Sequence, residues 1–181
     1  MSFVRFVFMI ALPSILYATD FSSHMNKLNE YASKGMNSEF IEYVASNGLP
    51  NKMDNDGHTP MIVASANNLF DVIPMLVKLG SDVNHKDKKG VSALMYAAMT
   101  NSVSAMRELV VNGANVDAKD KDGRSALIYA ISSRNMESCE ALIQAGANVN
   151  IKDNRGATPL KYAKGSDQGN LVELLLNSGA R

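Results

Sequence analysis

Apolar and polar positions alternate along the chain in a pattern that recurs every 33 residues. The second half of each unit carries apolar pairs four residues apart, as in Val72-Ile73 and Leu76-Val77. Side chains at this spacing share one face of an α-helix. A shorter apolar run precedes these pairs and holds an alanine at a fixed place: Ala64, Ala97, Ala130 and Ala163. The pattern predicts an all-α chain with two short helices per unit.

Turn residues follow the same period. An aspartate precedes a glycine by three residues in every unit: Asp54 and Gly57, Asp87 and Gly90, Asp120 and Gly123, Asp153 and Gly156. Each turn is followed by a hydroxyl residue that is a candidate helix N-cap: Thr59, Ser92, Ser125 and Thr158. The two helices should separate at Asn68, Asn101, Arg134 and Asp167. A second glycine series, Gly80, Gly113, Gly146 and Gly179, has the same spacing. We expect Gly80, Gly113 and Gly146 to provide helix C-caps, because glycine readily adopts a positive φ.

This pattern resembles that of ankyrin-repeat proteins, in particular small exported bacterial ones. The resemblance is carried by Asp54-x-x-Gly57-x-Thr59-Pro60-Met61, Asp153-x-x-Gly156-x-Thr158-Pro159-Leu160 and Gly146-Ala147-Asn148-Val149-Asn150. It implies a solenoid of paired antiparallel helices with turn fingers. Residues 51–181 would hold four full repeats, at 54–86, 87–119, 120–152 and 153–181, and residues 19–50 would form an N-terminal cap repeat.

The sequence departs from the family pattern at one place in each repeat. The family's histidine after Thr-Pro-Leu is replaced by Ile62, Met95, Ile128 and Lys161. We expect this change to remove a hydrogen bond that braces the turn and to lower the stability of each repeat. In the cap, short amphipathic segments around residues 28–32 and 40–44 flank a turn at Gly35.

The N-terminal segment has the composition of a secretory signal. Arg5 is followed by an apolar run over residues 6–12, and Pro13 interrupts it. We expect residues 1–18 to be a signal peptide cleaved after Ala18, with a periplasmic or secreted product that does not remain inserted in a membrane. An uncleaved anchor and a cytosolic start are the alternatives, although the apolar run is shorter than the roughly 20 residues of a membrane span.

Composition argues against several classes of function. Eighteen basic and eighteen acidic residues give zero formal net charge, which disfavours a nucleic-acid partner. The single cysteine, Cys139, excludes an intrachain disulfide and falls in a core column. His24, His58 and His85 lack the spacing of metal ligands. We therefore expect no metal, no cofactor, no catalytic residue and no enzymatic activity.

The charges are sorted by position within the repeats. Eight of the eighteen cations lie on or beside the turns: Lys86, Lys88, Lys89, Lys119, Lys121, Arg124, Lys152 and Arg155. Glutamates such as Glu108, Glu137, Glu140 and Glu173 fall on second helices instead. The alternative is that these turns are polar only because they are solvated. The tyrosine column of Tyr96, Tyr129 and Tyr162 is expected to pack between first helices, or else to anchor a partner.

The resemblance implies that turn tips and first-helix edges bind a partner. The candidate contact residues are Lys88, Lys89, Val91, Tyr96, Met99, Lys121, Asp122, Arg124, Tyr129, Asn154 and Arg155. We expect an exported, non-catalytic module, monomeric when free, that binds a cell-envelope protein with an acidic patch. That partner would be an exported enzyme that the module protects, inhibits or assembles. The alternative is a secreted effector or surface protein that binds a host or prey-cell protein.

Overall fold

Short helices connected by tight turns build the chain. The computed structural model describes residues 21–165 and 168–181, so the predicted signal segment at 1–18 and the predicted break at Asp167 lie outside the described residues. The helices are α1 (Phe21–Ser33), α2 (Asn37–Ser46), α3 (Pro60–Ala66), α4 (Val72–Lys78), α5 (Ala93–Met99), α6 (Val103–Val111), α7 (Ala126–Ser132), α8 (Met136–Gln144), α9 (Pro159–Gly165) and α10 (Gly169–Asn177). In the described ranges, the only β-type pairing outside helices and turns is an isolated bridge between Lys86 and Ser92. The all-helical prediction is confirmed.

The helix pairs follow the 33-residue period. First helices begin at Pro60, Ala93, Ala126 and Pro159. The predicted breaks at Asn68, Asn101 and Arg134 have left-handed backbone, with φ of 57°, 57° and 61°. One helix departs from the period, because α4 begins two residues later than its counterparts. Pro74 is its third residue, where the missing N–H costs least.

The helices stack in two layers around one continuous core. The first helices α3, α5, α7 and α9 pack on one another in sequence, and so do the second helices α4, α6, α8 and α10. The cap extends both layers, since α1 contacts α3 and α2 contacts α4. Fully buried residues run through every pair: Leu28, Phe40, Ile73, Leu109, Leu142 and Leu175. Each repeat thus buries its apolar face against its neighbours.

Cys139 lies in this core, as its column predicts. The residue is fully buried, and burial together with the nearby Glu140 raises the pKa of its thiol to about 12. At neutral pH the thiol is protonated and inert as a nucleophile.

The helix ends only partly follow the prediction. Gly80, Gly113 and Gly146 have the positive φ expected of C-caps. At the N-termini, Ser92 Oγ accepts the Met95 N–H at 3.4 Å and Thr158 Oγ1 accepts the Lys161 N–H at 3.3 Å. The buried hydroxyls of Thr59 and Ser125 have no hydrogen-bond partner among the described residues. The prediction of a hydroxyl cap in every repeat was therefore wrong for Thr59 and Ser125.

None of the helices in the described ranges combines the length and the apolar character that a bilayer span requires.

Candidate protein-binding surface

Each turn tip is built around the carboxylate of its aspartate. In the second full repeat, Asp87 Oδ1 accepts the backbone N–H groups of Lys89 and Val91, both at 2.8 Å. The corresponding oxygen of Asp54, Asp120 and Asp153 accepts the same two N–H groups in its own repeat. Such aspartate turns fix the backbone without help from a partner.

The second carboxylate oxygen ties the tip to the first helix. Tyrosine hydroxyls donate to it from Tyr96 to Asp87 (2.9 Å), from Tyr129 to Asp120 (2.7 Å) and from Tyr162 to Asp153 (2.8 Å). In the first full repeat Val63 holds the tyrosine position, and His58 Nδ1 lies 2.9 Å from Asp54 Oδ2 instead. A tyrosine or histidine side chain therefore braces the turn aspartate of every full repeat, although Ile62, Met95, Ile128 and Lys161 replace the family histidine.

Burial and these hydrogen bonds raise the pKa of the tyrosines and, in the last repeat, the bond lowers the pKa of the aspartate. Burial, followed by the hydrogen bond to the ionised Asp87, raises the pKa of Tyr96, and burial and Asp120 do the same for Tyr129. The hydrogen bond from Tyr162 and the Ala157 N–H lower the pKa of Asp153. The phenols of Tyr96 and Tyr129 thus stay neutral around neutral pH and donate to the turn carboxylates.

Consecutive tips are joined into one edge. The N–H of Lys88 donates to the Asp56 carbonyl at 2.9 Å, that of Lys121 to Lys89 at 3.0 Å, and that of Asn154 to Asp122 at 2.9 Å. We call the exposed tip residues Lys88, Lys89, Lys121, Asp122, Asn154 and Arg155 the tip edge. Backbone hydrogen bonds between tips therefore hold five of these six predicted residues in one register, and the N–H of Arg155 donates to Asp153 Oδ1 within its own tip.

The remaining predicted residues differ in accessibility. Met99, at the end of α5, is 38% exposed. Tyr96 and Tyr129 are half-buried, and their hydroxyls are bonded to the turn carboxylates. Val91 is only 5% exposed. Its place as an apolar contact was wrong, because the Val91 side chain packs into the core, unlike the partly exposed residues at the same place in the other repeats.

The cations of the region divide into engaged and available ones. Arg124 binds the carboxylates of Asp120 and Asp122, and its guanidinium lies 5.3 Å from the centre of the Tyr129 ring. Lys86 and Lys119 each donate to a carbonyl of the following repeat at 2.8 Å. Lys88, Lys89, Lys121 and Arg155 form no ion pair within 4 Å in the described part of the chain. These four cations carry the positive charge that the tip edge can offer.

A cavity of about 510 Å³ extends the tip edge at the last repeat. Its lining is Ser132, Asp153, Arg155, Ala157, Lys161, Tyr162 and Gly165. Ala157 occupies the place that Arg124 fills one repeat earlier, so a short side chain leaves the space open. The short side chains of Ala157 and Gly165 were the signal in the sequence for this cavity.

Within the described ranges, no group of three or more His, Cys, Asp or Glu side chains could hold a metal ion.

No curated protein matches the chain. A family model of ankyrin repeats, in three copies, matches residues 16–87, 61–153 and 94–181. Ankyrin repeats are protein–protein interaction modules that are generally non-catalytic. With matches over most of its length, the chain belongs to the ankyrin-repeat family.

Proposed function

We propose that the chain is an exported, non-catalytic protein that binds an acidic patch on a cell-envelope protein through the tip edge. The observation that carries this proposal is the set of four cations without ion-pair partners among the described residues: Lys88, Lys89, Lys121 and Arg155. The backbone hydrogen bonds between tips hold the three lysines of this set in place. The cavity beside Arg155 and Lys161 receives a protruding acidic side chain of the partner.

The physical case rests on preorganisation and charge. The tips are held by their own aspartates and by their neighbours, so binding orders little additional backbone. Exposed cations steer an acidic partner and raise its association rate, most strongly at low salt. Met99 offers apolar contact beside this charged edge.

Export is supported by the signal-like pattern of residues 1–18 and by a fold that needs no disulfide. In this setting the chain acts as a monomer that protects, inhibits or assembles an exported enzyme. Its contribution is steric and electrostatic, since it covers a surface of the partner rather than performing chemistry.

The test is capture from an envelope extract of the source cell, followed by association kinetics. A variant carrying Lys88→Glu, Lys89→Glu and Arg155→Glu should recover less of the partner and associate at least about tenfold more slowly at low salt. The matched control reverses three exposed cations elsewhere: Lys52→Glu, Lys78→Glu and Arg107→Glu. Equal association rates for the two variants, or failure of the unaltered chain to recover any envelope protein, would contradict the proposal.

A further inference from the structure

The outer side of α4 is more apolar than the same side of the other second helices. Phe70, Met75 and Leu79, on or beside this helix, are 41%, 47% and 39% exposed. One repeat later, the places of Pro74, Met75 and Leu79 are held by Arg107, Glu108 and Asn112. Large apolar side chains grouped at a surface mark an interaction site more often than isolated ones do.

Phe70 and Met75 border a groove between α2, α4 and α6. Its volume is about 580 Å³, and its apolar walls come from Ile41, Phe70, Pro74 and Met75. We call this cavity the outer groove. The helices that line it are second helices, whereas the tip edge adjoins the first helices. The outer groove is therefore separate from the proposed binding surface.

Two carboxylates and a buried amide oxygen lie at the outer groove. Asp71 and Glu108 bring carboxylates to its border, and neither forms an ion pair within the described residues. Asn37 Oδ1 is buried in the same region and accepts no hydrogen bond from the described chain. A buried acceptor without a donor is unfavourable by about 1–3 kcal/mol. The groove thus offers negative charge and an acceptor around apolar walls.

We propose that the outer groove binds an amphipathic helix of a partner protein, with the helix's apolar face on Phe70, Pro74 and Met75 and its flanking lysines or arginines at Asp71 and Glu108. Grooves between helices take such ligands through apolar anchors at helical spacing. A hydrogen-bond donor on the bound helix supplies the bond that Asn37 Oδ1 lacks within the described chain. Negative charge at the border disfavours an anionic lipid surface as the occupant.

The experiment selects the ligand from a defined library. Phage display presents amphipathic helices of about four turns, with a fixed leucine stripe and flanking positions randomised among Lys, Glu and Gln. The altered protein carries Pro74→Arg, Met75→Glu and Leu79→Asn, which are the residues of the next repeat and should keep the fold. The control carries Val111→Gln, the residue of the next repeat at an 81% exposed site outside the groove.

The expected result is enrichment of lysine-flanked helices. These helices should bind the Val111→Gln control as tightly as they bind the unaltered chain. They should bind the triple variant at least about tenfold more weakly, although its circular dichroism spectrum stays helical. Binding that is equal for all three proteins, enrichment of Glu over Lys, or no enriched clone would overturn the proposal. The proposal would also be overturned if the unaltered chain and the control sediment with phosphatidylglycerol vesicles and the triple variant does not. That result would assign the groove to a membrane.

Discussion

At the scale of single residues, the tip glycines meet two separate demands. Gly90 has a φ of 83°, and a Cβ atom there would lie 2.8 Å from the Lys121 backbone nitrogen. Gly156 has a φ of 74°, but nothing lies within 4 Å of a Cβ placed on it. Gly156 is therefore required only for its positive φ, whereas Gly90 is required both for its positive φ and for the close approach of the next repeat.

We predict that Gly90→Ala destabilises the chain more than Gly156→Ala. Both changes place alanine in left-handed backbone, at a cost of about 1–2 kcal/mol. Gly90→Ala adds a clash with the next tip, for about 1–3 kcal/mol more. Urea denaturation of the two variants measures the difference. Equal losses of stability would show that the tips can shift apart without cost.

The tyrosine–aspartate bonds predict a loss of stability in alkali. The pKa of Tyr129 is raised in the folded chain above the ordinary value of about 10. The stabilisation is therefore full below pH 10 and is lost as the pH rises through the folded-state pKa. Tyr129→Phe should cost about 1 kcal/mol at neutral pH. It should also flatten the decline of the unfolding free energy above pH 10.

Denaturant titrations at a series of pH values measure both effects for Tyr129→Phe. The unaltered chain, in which Asp120 keeps the tyrosine hydrogen bond, is the reference. An alkaline decline of the same slope in both proteins would show that Tyr129 does not titrate with unfolding.

At the scale of elements, an asparagine ladder joins the loops that follow the second helices. Asn84 Nδ2 donates to the Gly113 carbonyl at 3.0 Å, and Asn84 Oδ1 accepts the Asn115 N–H at 2.8 Å. Asn51 and Asn150 make the same pair of bonds to their next loops. Asp117 holds this place in the third link and only accepts, from the Asn148 N–H at 2.9 Å. The ladder therefore lacks one donor.

We predict that Asp117→Asn stabilises the chain. The new amide should donate to the Gly146 carbonyl, as its counterparts do in the other loops, and one such bond contributes about 1 kcal/mol. The reverse change, Asn84→Asp, should cost a similar amount. Thermal unfolding of both variants tests the pair. A destabilising Asp117→Asn would show that the charge of Asp117 serves the fold.

At the scale of the whole molecule, contacts join each helix pair mainly to its neighbours. In such arrays, the free energy of unfolding is nearly the sum of the intrinsic stability of each repeat and the energy of each interface between neighbours. One end can therefore unfold while the other stays folded. Cys139 provides a reporter, because its thiol is fully buried in α8 and its pKa is raised to about 12.

We predict that iodoacetamide labels Cys139 at a rate set by opening of the local helix pairs. Leu142→Ala, one turn away on the same helix, should accelerate labelling strongly, since such buried truncations cost about 2–5 kcal/mol. Phe40→Ala, in the cap, removes an equally buried side chain and should have a much smaller effect. Mass spectrometry of labelling time courses measures the rates. Equal acceleration would show that the chain unfolds as one unit.

The repeat pattern allowed much of this architecture to be predicted from single residues. The breaks at Asn68, Asn101 and Arg134 and the cap turn at Gly35 were predicted from the period and from turn chemistry, and all four have positive φ. The burial of Val91 and the unbonded hydroxyls of Thr59 and Ser125 were not predicted. Both depend on how a side chain sits between adjacent repeats, which the period alone does not specify.

By itself, the sequence determined the helix pairs, their turns and their order, because periodic burial and turn conformation are local properties that repeat with the residues. Only the tertiary structure decided which charges remain available. Arg124 and Arg155 are both cations of the turn tips, yet Arg124 is bound by Asp120 and Asp122 while Arg155 borders an open cavity. The outer groove likewise exists only where α2, α4 and α6 meet. Such features depend on distances between side chains of different repeats, and packing sets those distances.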